Sequence, residues 1–523
     1  MRSPRLRRIA VWTAALALIA GVTATALPAT PAGAGTPPPA EPNSADRIIF
    51  WTTYCSTLAD LTDRDLQRWA DLGAGGFSCA IRQLAAWGGG TRFTADPDDP
   101  VLHDPSAPGY DQYALQRKLR DTRIVERAKE HGLRLYLGVW SSSDLPDART
   151  PFVDWFDDEA WADEVIPQFR EMAGAIHDLG FAGVTFDHEN YPSHDNPEGV
   201  YWSTDYAGND HTPAETRRKI RQRGREVGRA ITKRFPGVEY AAYFASLPVG
   251  WNAYHQYHTV GLNDAPACDA GGPTVDFWEG MAGARGYDAL RFWEAVFFKP
   301  ANSGSNFEAA NQYNAGELYA YFSRCWSNWG YAASRVQVSP FVWIDGVPDA
   351  DDKFNGPYPT DQASEALTAF SKWGTGGEFA NFAYSIDGFD YGPYERALRE
   401  ASRPRVVDDE VPTIELETPA RGARSTTAAT VDVAGTAHDN LAIRSVAWET
   451  DRGARGTAPM TWHAIAGGGD SEYFWTMRWE APGIPLESGP TCITITATDI
   501  KGLEASRAVP INGKDACAAA AAG

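Results

Sequence analysis

Eight short apolar runs, each followed by or leading into helical periodicity, set the strongest limit on what this chain can fold into. The runs are 47–54, 76–81, 133–140, 182–187, 238–245, 292–298, 336–344 and 378–386. Most are apolar on both faces, as in parallel strands that are buried on each side. Helical patterns fall between them at 62–72, 116–131, 159–179, 216–235, 314–329, 360–373 and 394–402. Thr62 and the acids after it are a start signal, and Gly132, Gly180, Gly330 and Gly374 stand just past helix ends. Between the fifth and sixth runs only a short helical piece at 287–290 is legible. Eight such units over about 360 residues predict an α/β fold, a (β/α)8 TIM barrel with long loops. A doubly wound open sheet is the alternative, but no glycine-rich phosphate loop follows the first run.

After Arg403 the pattern changes to β-branched alternation, with strands expected at 430–433, 443–448, 474–479 and 492–497. This predicts a small all-β sandwich. Its phrases "VAGTAHDNLAIRSVAWE" and "CITITATDIKG" resemble bacterial immunoglobulin-like modules, which implies a spacer or binding aid. The expected organisation is a signal peptide (1–34), a Pro-rich linker (35–45), a catalytic barrel (46–403), an immunoglobulin-like sandwich (404–512) and an Ala-rich tail (513–523).

The leader is read from Arg2, Arg5, Arg7 and Arg8, an apolar run, and small-x-small sites at Ala24-Thr25-Ala26 and Ala32-Gly33-Ala34. An uncleaved membrane anchor is the alternative. Export predicts a secreted protein, soluble and without stable membrane insertion. Net charge is −21 for the 523 residues, and removing 1–34 takes away four Arg and no acid, which leaves −25. Such a surface argues against nucleic acid as a partner. The basic run 217–234, with nine Lys/Arg and one Glu, reads as a solvated helix face, with docking to the acidic remainder of the chain as the alternative. Six cysteines in an exported chain predict disulfides, and local pairing favours 55–79, 268–325 and 492–517. Free buried thiols are the alternative for the first four. No cysteine or histidine spacing suits zinc, and no metal or cofactor is expected. The acidic run 349–352 reads as a solvated loop. A monomer is expected.

In a barrel of this kind chemistry sits where strands end. The fourth run stands out: "GFAGVTFDHENYP", residues 180–192. Residues i and i+2 on a strand share a face, so Asp187 and Glu189 are expected to point together, with His188 opposed. Two close carboxylates at a barrel mouth suit glycosidic bond cleavage: one stays protonated to donate to the leaving oxygen, the other ionised to support an oxocarbenium-like centre. Mutual repulsion raises one pKa and helps divide the roles. Two solvated loop acids, or a metal site at 187–189, are the alternatives.

"GVTFDHENYP" also resembles the strand-four signature of family 18 glycoside hydrolases, the chitinase and endo-β-N-acetylglucosaminidase group: Asp-x-x-Asp-x-Asp-x-Glu, often followed by Tyr-Pro. The resemblance implies a proton donor at Glu189 and an acetamido-orienting acid at Asp187. The family's two earlier acids fall on Ala182 and Thr185, and Asn190 is extra before Tyr191-Pro192. "FAYSIDGFD" (382–390) is loosely similar to the family's last strand, with Tyr384 in place of its Trp floor. A related barrel glycosidase is therefore implied rather than membership.

If the acetamido-assisted route fails, a later-strand acid must serve. Asp345 is the second choice, with Asp387 and Glu294 also near strand ends. Aromatic residues crowd the same ends: Trp51, Tyr54, Trp140, Tyr191, Tyr243, Trp251, Trp343 and Tyr384. Flat rigid rings stack on sugar faces. Loops 82–113 and 247–286 are expected to wall the cleft. No Gly-x-Ser-x-Gly elbow, His-Glu-x-x-His or Walker loop occurs. The expected function is hydrolysis of a polysaccharide or glycan by acid catalysis from Glu189. The alternative is a non-catalytic carbohydrate-binding or wall-associated barrel.

Overall fold

The computed structural model describes residues 47–52, 55–85, 110–140, 153–187, 202–243, 268, 272–297, 304–343, 378–382, 392–401, 410–419, 426–465, 474–513 and 516–517. The expected leader and Pro-rich linker lie outside the described residues, as does most of the Ala-rich tail.

Eight parallel strands close into a barrel in chain order. They are β1 (Arg47–Thr52), β2 (Ala74–Ala85), β3 (Arg134–Trp140), β4 (Gly183–Asp187), β5 (Val238–Tyr243), β6 (Tyr287–Phe297), β7 (Val336–Trp343) and β8 (Glu378–Phe382). β1 closes the ring against β8, with Trp51 level with Phe382. Of β1, β8 and the last residues of β2, β3, β6 and β7, only the backbone course is described.

The described helices are α1 (Cys55–Ala59), α2 (Asp63–Asp71), α3 (Tyr110–Asp121), α4 (Ile124–Glu130), α5 (Asp158–Ala160), α6 (Ile166–Leu179), α7 (Pro213–Arg234), α8 (Gly272–Ala282), α9 (Gly304–Cys325), α10 (Trp329–Ala332) and α11 (Glu395–Ala401). A single π turn, Trp161–Val165, joins α5 to α6. Helix ends follow local chemistry. Thr212 caps α7: Glu215 N–H donates to its hydroxyl, Thr212 N–H donates to Glu215 Oε2 at 2.9 Å, and Pro213 fills the first turn. Gly180 ends α6 at φ 85°, a left-handed cap that glycine adopts without strain. α7 and α8 touch backbone to backbone. A Cβ on Gly224 would stand 2.0 Å from the Phe277 carbonyl oxygen, and one on Gly280 would stand 2.1 Å from that of Arg221.

Between barrel and helices lies an aromatic layer. Phe186 meets Trp278 edge-on at 5.2 Å, and Phe292 packs on Phe322 at 5.0 Å. Each such buried ring contributes roughly 1.5–3 kcal/mol by leaving water. Three disulfides, Cys55–Cys79, Cys268–Cys325 and Cys492–Cys517, match the pairing expected from sequence. No helix among the described residues is long and apolar enough to cross a membrane.

The C-terminal region forms two four-stranded antiparallel sheets, ordered β13-β14-β10-β9 and β12-β11-β15-β16. Their strands are β9 (Thr413–Thr418), β10 (Thr430–His438), β11 (Ile443–Thr450), β12 (Arg455–Thr457), β13 (Met460–Ile465), β14 (Phe474–Pro485), β15 (Thr491–Asp499) and β16 (Glu504–Ile511). Val433, Met477 and Trp479 of the first sheet and Val446, Ile493 and Ile495 of the second are fully buried. The sheets dock on the barrel through α9. Met460 of edge strand β13 donates its N–H to Ser323 Oγ at 2.8 Å and accepts from Arg324 Nη1 at 2.9 Å. An exposed sheet edge invites mispairing, and α9 covers this one.

The structure corrects several expectations. Residues 287–290 are not helical; they open β6, and the helix before them is α8. Part of the supposed cleft wall 247–286 is therefore α8, whose residues 274–282 are all buried. The single helix expected at 116–131 is two, α3 and α4, broken where Arg123 takes φ 52°. α9 begins ten residues before its expected start at 314. The 360–373 helix lies outside the described residues. β9, β12, β13 and β16 were not foreseen.

Candidate active site

Strand parity decides what faces the barrel interior. On β4, Val184 and Phe186 face outward, where Phe186 meets Phe169 and Trp278. Thr185 and Asp187 therefore face inward. On β5, Tyr240 packs outward on Trp278, so Glu239, Ala241 and Tyr243 face in. On β6, Phe292 faces out, so Arg291 and Trp293 face in.

Register joins these into rows. Trp140, Asp187, Tyr243, Trp293 and Ser339 are successive neighbours on β3 to β7. Asp187 is 6% exposed at the C-terminal end of β4, and Tyr243, Trp293 and Ser339 are buried completely or nearly so. The Tyr243 ring leans on Trp293 at 4.8 Å. One layer below, the Ser78 and Thr185 hydroxyls are 2.6 Å apart. The Tyr243 hydroxyl lies against both and beside Asp187; burial holds it protonated well above the usual phenol range, and the Asp187 charge adds to this. At neutral pH it can only donate its proton in a hydrogen bond or accept one there; it does not ionise. Trp293 Nε1 and Ser339 Oγ have no hydrogen-bond partner among the described residues. Buried polar groups without partners are costly unless something else meets them.

The opposite end of the interior is an ion cluster. Glu239 accepts from Arg134 Nη1 at 3.0 Å and from the Tyr136 hydroxyl at 2.7 Å, and pairs with Arg291. Burial alone would raise the Glu239 pKa, but the two guanidiniums and the Tyr136 hydroxyl outweigh it and hold the carboxyl at about 2. This cluster is ionised at any ordinary pH. It lies toward the N-terminal ends of the strands, with Asp187 at the C-terminal end of β4.

Of the residues read from sequence, the structure brings Trp140, Asp187 and Tyr243 into one row. Trp51 and Trp343 flank Phe382 on the facing wall of the barrel, as backbone neighbours. Glu189, Asp345, Asp387, Tyr191, Trp251 and Tyr384 lie outside the described residues, as do His188 and the acidic run 349–352. Glu294 follows Trp293 on β6; its side chain is also outside that set. Sequence reading missed Ser78, Thr185, Trp293 and Ser339. For Thr185, Trp293 and Ser339 the available signal is parity with a polar residue two positions away, Asp187, Arg291 and Gln337; Ser78 has Gly76 and Ala80 there and no such signal. Among the described residues no group of three His, Cys, Asp or Glu could hold a metal ion.

No model of a known protein family matches the chain, and no curated protein matches it. Among solved structures it is similar to an endo-β-1,4-mannanase from Thermotoga petrophila, at 11% identity over 89% of this chain and 97% of that one, TM-score 0.39. It is similar to a GH5-4 broad-specificity endoglucanase from an uncultured bacterium, at 11% identity over 68% and 94%, TM-score 0.40. A third is a GH5_18 protein from Streptomyces cattleya in complex with GlcNAc, at 16% identity over 68% and 80%, TM-score 0.37. Likenesses of this degree say nothing of what this chain binds or cleaves.

Proposed function

We propose that this protein is an exported glycoside hydrolase of a polysaccharide or glycan, with Glu189 as proton donor and Asp187 as its ionised partner. One observation carries the reading: Asp187 is a buried carboxylate at the C-terminal end of an inward-facing strand position, in a row with Trp140, Tyr243 and Trp293. Glu189 follows two residues later, beyond the end of β4. An ionised Asp187 supplies negative charge where a cationic sugar centre or a positively polarised acetamido group would develop. The neutral Tyr243 hydroxyl beside it can orient that carboxylate without taking its charge away. Asp345 is the reserve nucleophile if Asp187 only orients.

The test is product release from a panel of polysaccharides and N-glycans by wild type and Glu189→Gln. General acid catalysis contributes roughly 10²–10⁴-fold, so turnover by the variant should fall by at least about a hundredfold with the fold intact. A folded Glu189→Gln protein with near-normal turnover would overturn the assignment. Release from no polymer would favour the binding-protein alternative.

A further inference from the structure

The basic helix α7 divides into two halves with different fates. In its first half, Arg217 and Arg221 pair with Asp276, while Lys219 and Arg223 pair with Asp158. In its second half, Arg225, Arg229 and Lys233 are exposed at spacing i, i+4 and i+8, so they form one ridge. None of the three makes an ion pair among the described residues. Arg229 and Lys233 line a shallow cavity of about 390 Å³, floored by Thr232 and Gly283, and Arg285 enters it from the turn after α8. No carboxylate lines it.

Two ordinary explanations fall short. Lys and Arg at a helix C-terminus complement its dipole, but that effect fades within the last turn. It accounts for Lys233, not for Arg225 and Arg229, and not for Arg285 on another element. General solubility does not require the patch either, because the chain carries 68 acids against 47 bases. Among the described residues none of the four makes an ion pair, and Glu226, which lies between Arg225 and Arg229 in the chain, pairs instead with Arg223, so the patch is a local reversal of the chain's sign.

We propose that this ridge and cavity bind an anionic polysaccharide, one bearing carboxylate, sulfate or phosphate groups along its length. Helix geometry repeats the cations about every 6 Å, which suits charges repeating along a polymer. Three of the four are arginines, whose forked donors grip oxyanions in two-point contacts. α7 and the turn after α8 lead into the first residues of β5 and β6, so the patch sits at the end of the barrel away from Asp187. A polymer held there leaves the proposed active site open.

The experiment measures binding of dextran sulfate, neutral dextran and duplex DNA by the full chain at low and physiological salt. Three proteins are compared: wild type, Arg225→Glu/Arg229→Glu/Lys233→Glu, and Arg285→Glu. Dextran sulfate should bind wild type with strong salt dependence, and neutral dextran should not. The triple variant should bind about tenfold more weakly or worse, as loss of three screened ion contacts implies. Arg285→Glu should weaken binding by a smaller factor. Unchanged thermal midpoints show that the variants fold, since all four residues are exposed. Equal binding by wild type and triple variant, equal binding of both dextrans, or tighter binding of DNA than of dextran sulfate would each overturn the proposal. Binding is also read on Glu189→Gln, so its outcome is separate from the catalytic assignment.

Discussion

Glu239 is a half-buried glutamate inside the barrel and Glu317 a buried one on α9 beside the C-terminal sheets, and their pKa values shift in opposite directions. Glu239 receives two guanidiniums and a phenol, which overcome burial and hold it at about 2. Glu317 is 4% exposed, and burial pushes it up to about 7 against the single opposing pull of Arg324. Leu318, Tyr319 and Phe322 turn the other face of α9 onto the outside of the barrel; Phe322 packs on Phe292, and the Tyr319 hydroxyl accepts from Val338 N–H at 3.1 Å. Glu317 and Arg324, seven residues apart, share the opposite face. Arg324 spends a donor on the Met460 carbonyl, and Glu317 Oε1 has no partner among the described residues. Glu239 is the less buried of the two, with its side chain 17% exposed, yet both feel the loss of water. The number of donors that converge on the carboxylate decides the sign.

The largest effect is expected where compensation is best. Glu239→Gln leaves Arg291 and Arg134 facing each other without a counter-charge inside the barrel. Breaking a buried ion pair from one side costs about 3–5 kcal/mol. Urea unfolding at pH 7 should show a loss of that order, and a loss under about 1 kcal/mol would mean the cluster is solvated. The pH dependence follows from the sign of the shift. A depressed carboxylate stabilises the fold above its unfolded pKa and loses that contribution as pH falls through its folded value. The gap between wild type and variant should therefore close between about pH 4.5 and pH 2.

Glu317→Gln should do the reverse. Here the folded pKa lies above the unfolded one, so stability falls as pH rises from about 4.5 to 7 and stays level beyond. The variant lacks that fall. Relative to wild type it should gain on the order of 1–3 kcal/mol at pH 8 and nothing at pH 4. A variant less stable than wild type at pH 8 would show that the ionised carboxylate is paired there, and the contrast with Glu239 would be lost.

This contrast was out of reach in the sequence, although the barrel was not. Apolar runs at the eight strand positions are local signals, and so was the Asp187 strand end. Parity was harder. "ALRFWEAVF" carries Arg291 on the face of Trp293 and Glu294 on the face of Phe292, so its charges do not by themselves say which ring points inward; strands buried on both faces leave this open. The ion cluster draws Arg134, Glu239 and Arg291 from three strands. Each is a charged residue in an otherwise apolar run, which marks it as unusual but does not name its partners. Glu317 reads as an ordinary solvated helix residue until the C-terminal sheets are seen to lie against α9. The basic stretch 217–234 reads as a solvated face or as one that docks on acids, and the structure splits it between the two, because Asp158 and Asp276 come from elements distant in the chain.

The smallest effect concerns the same face of α9. Arg324 and Ser323 satisfy both backbone groups of Met460 on edge strand β13. Ser323→Ala removes one acceptor and leaves the Met460 N–H buried without a partner, at a cost of about 1–3 kcal/mol if water cannot reach it and less if it can. The change should appear in the unfolding of the C-terminal sheets before that of the barrel, because among the described residues the Ser323 hydroxyl is otherwise bonded within its own helix, to the Ala320 carbonyl. Amide exchange at Met460 reads this directly. Faster exchange at that amide in Ser323→Ala, with barrel amides unchanged, is the expected result. If exchange speeds up equally in β6 and β7, the sheets and the barrel unfold as one cooperative body, and Glu317 then reports on the stability of the whole chain rather than on the docking face alone.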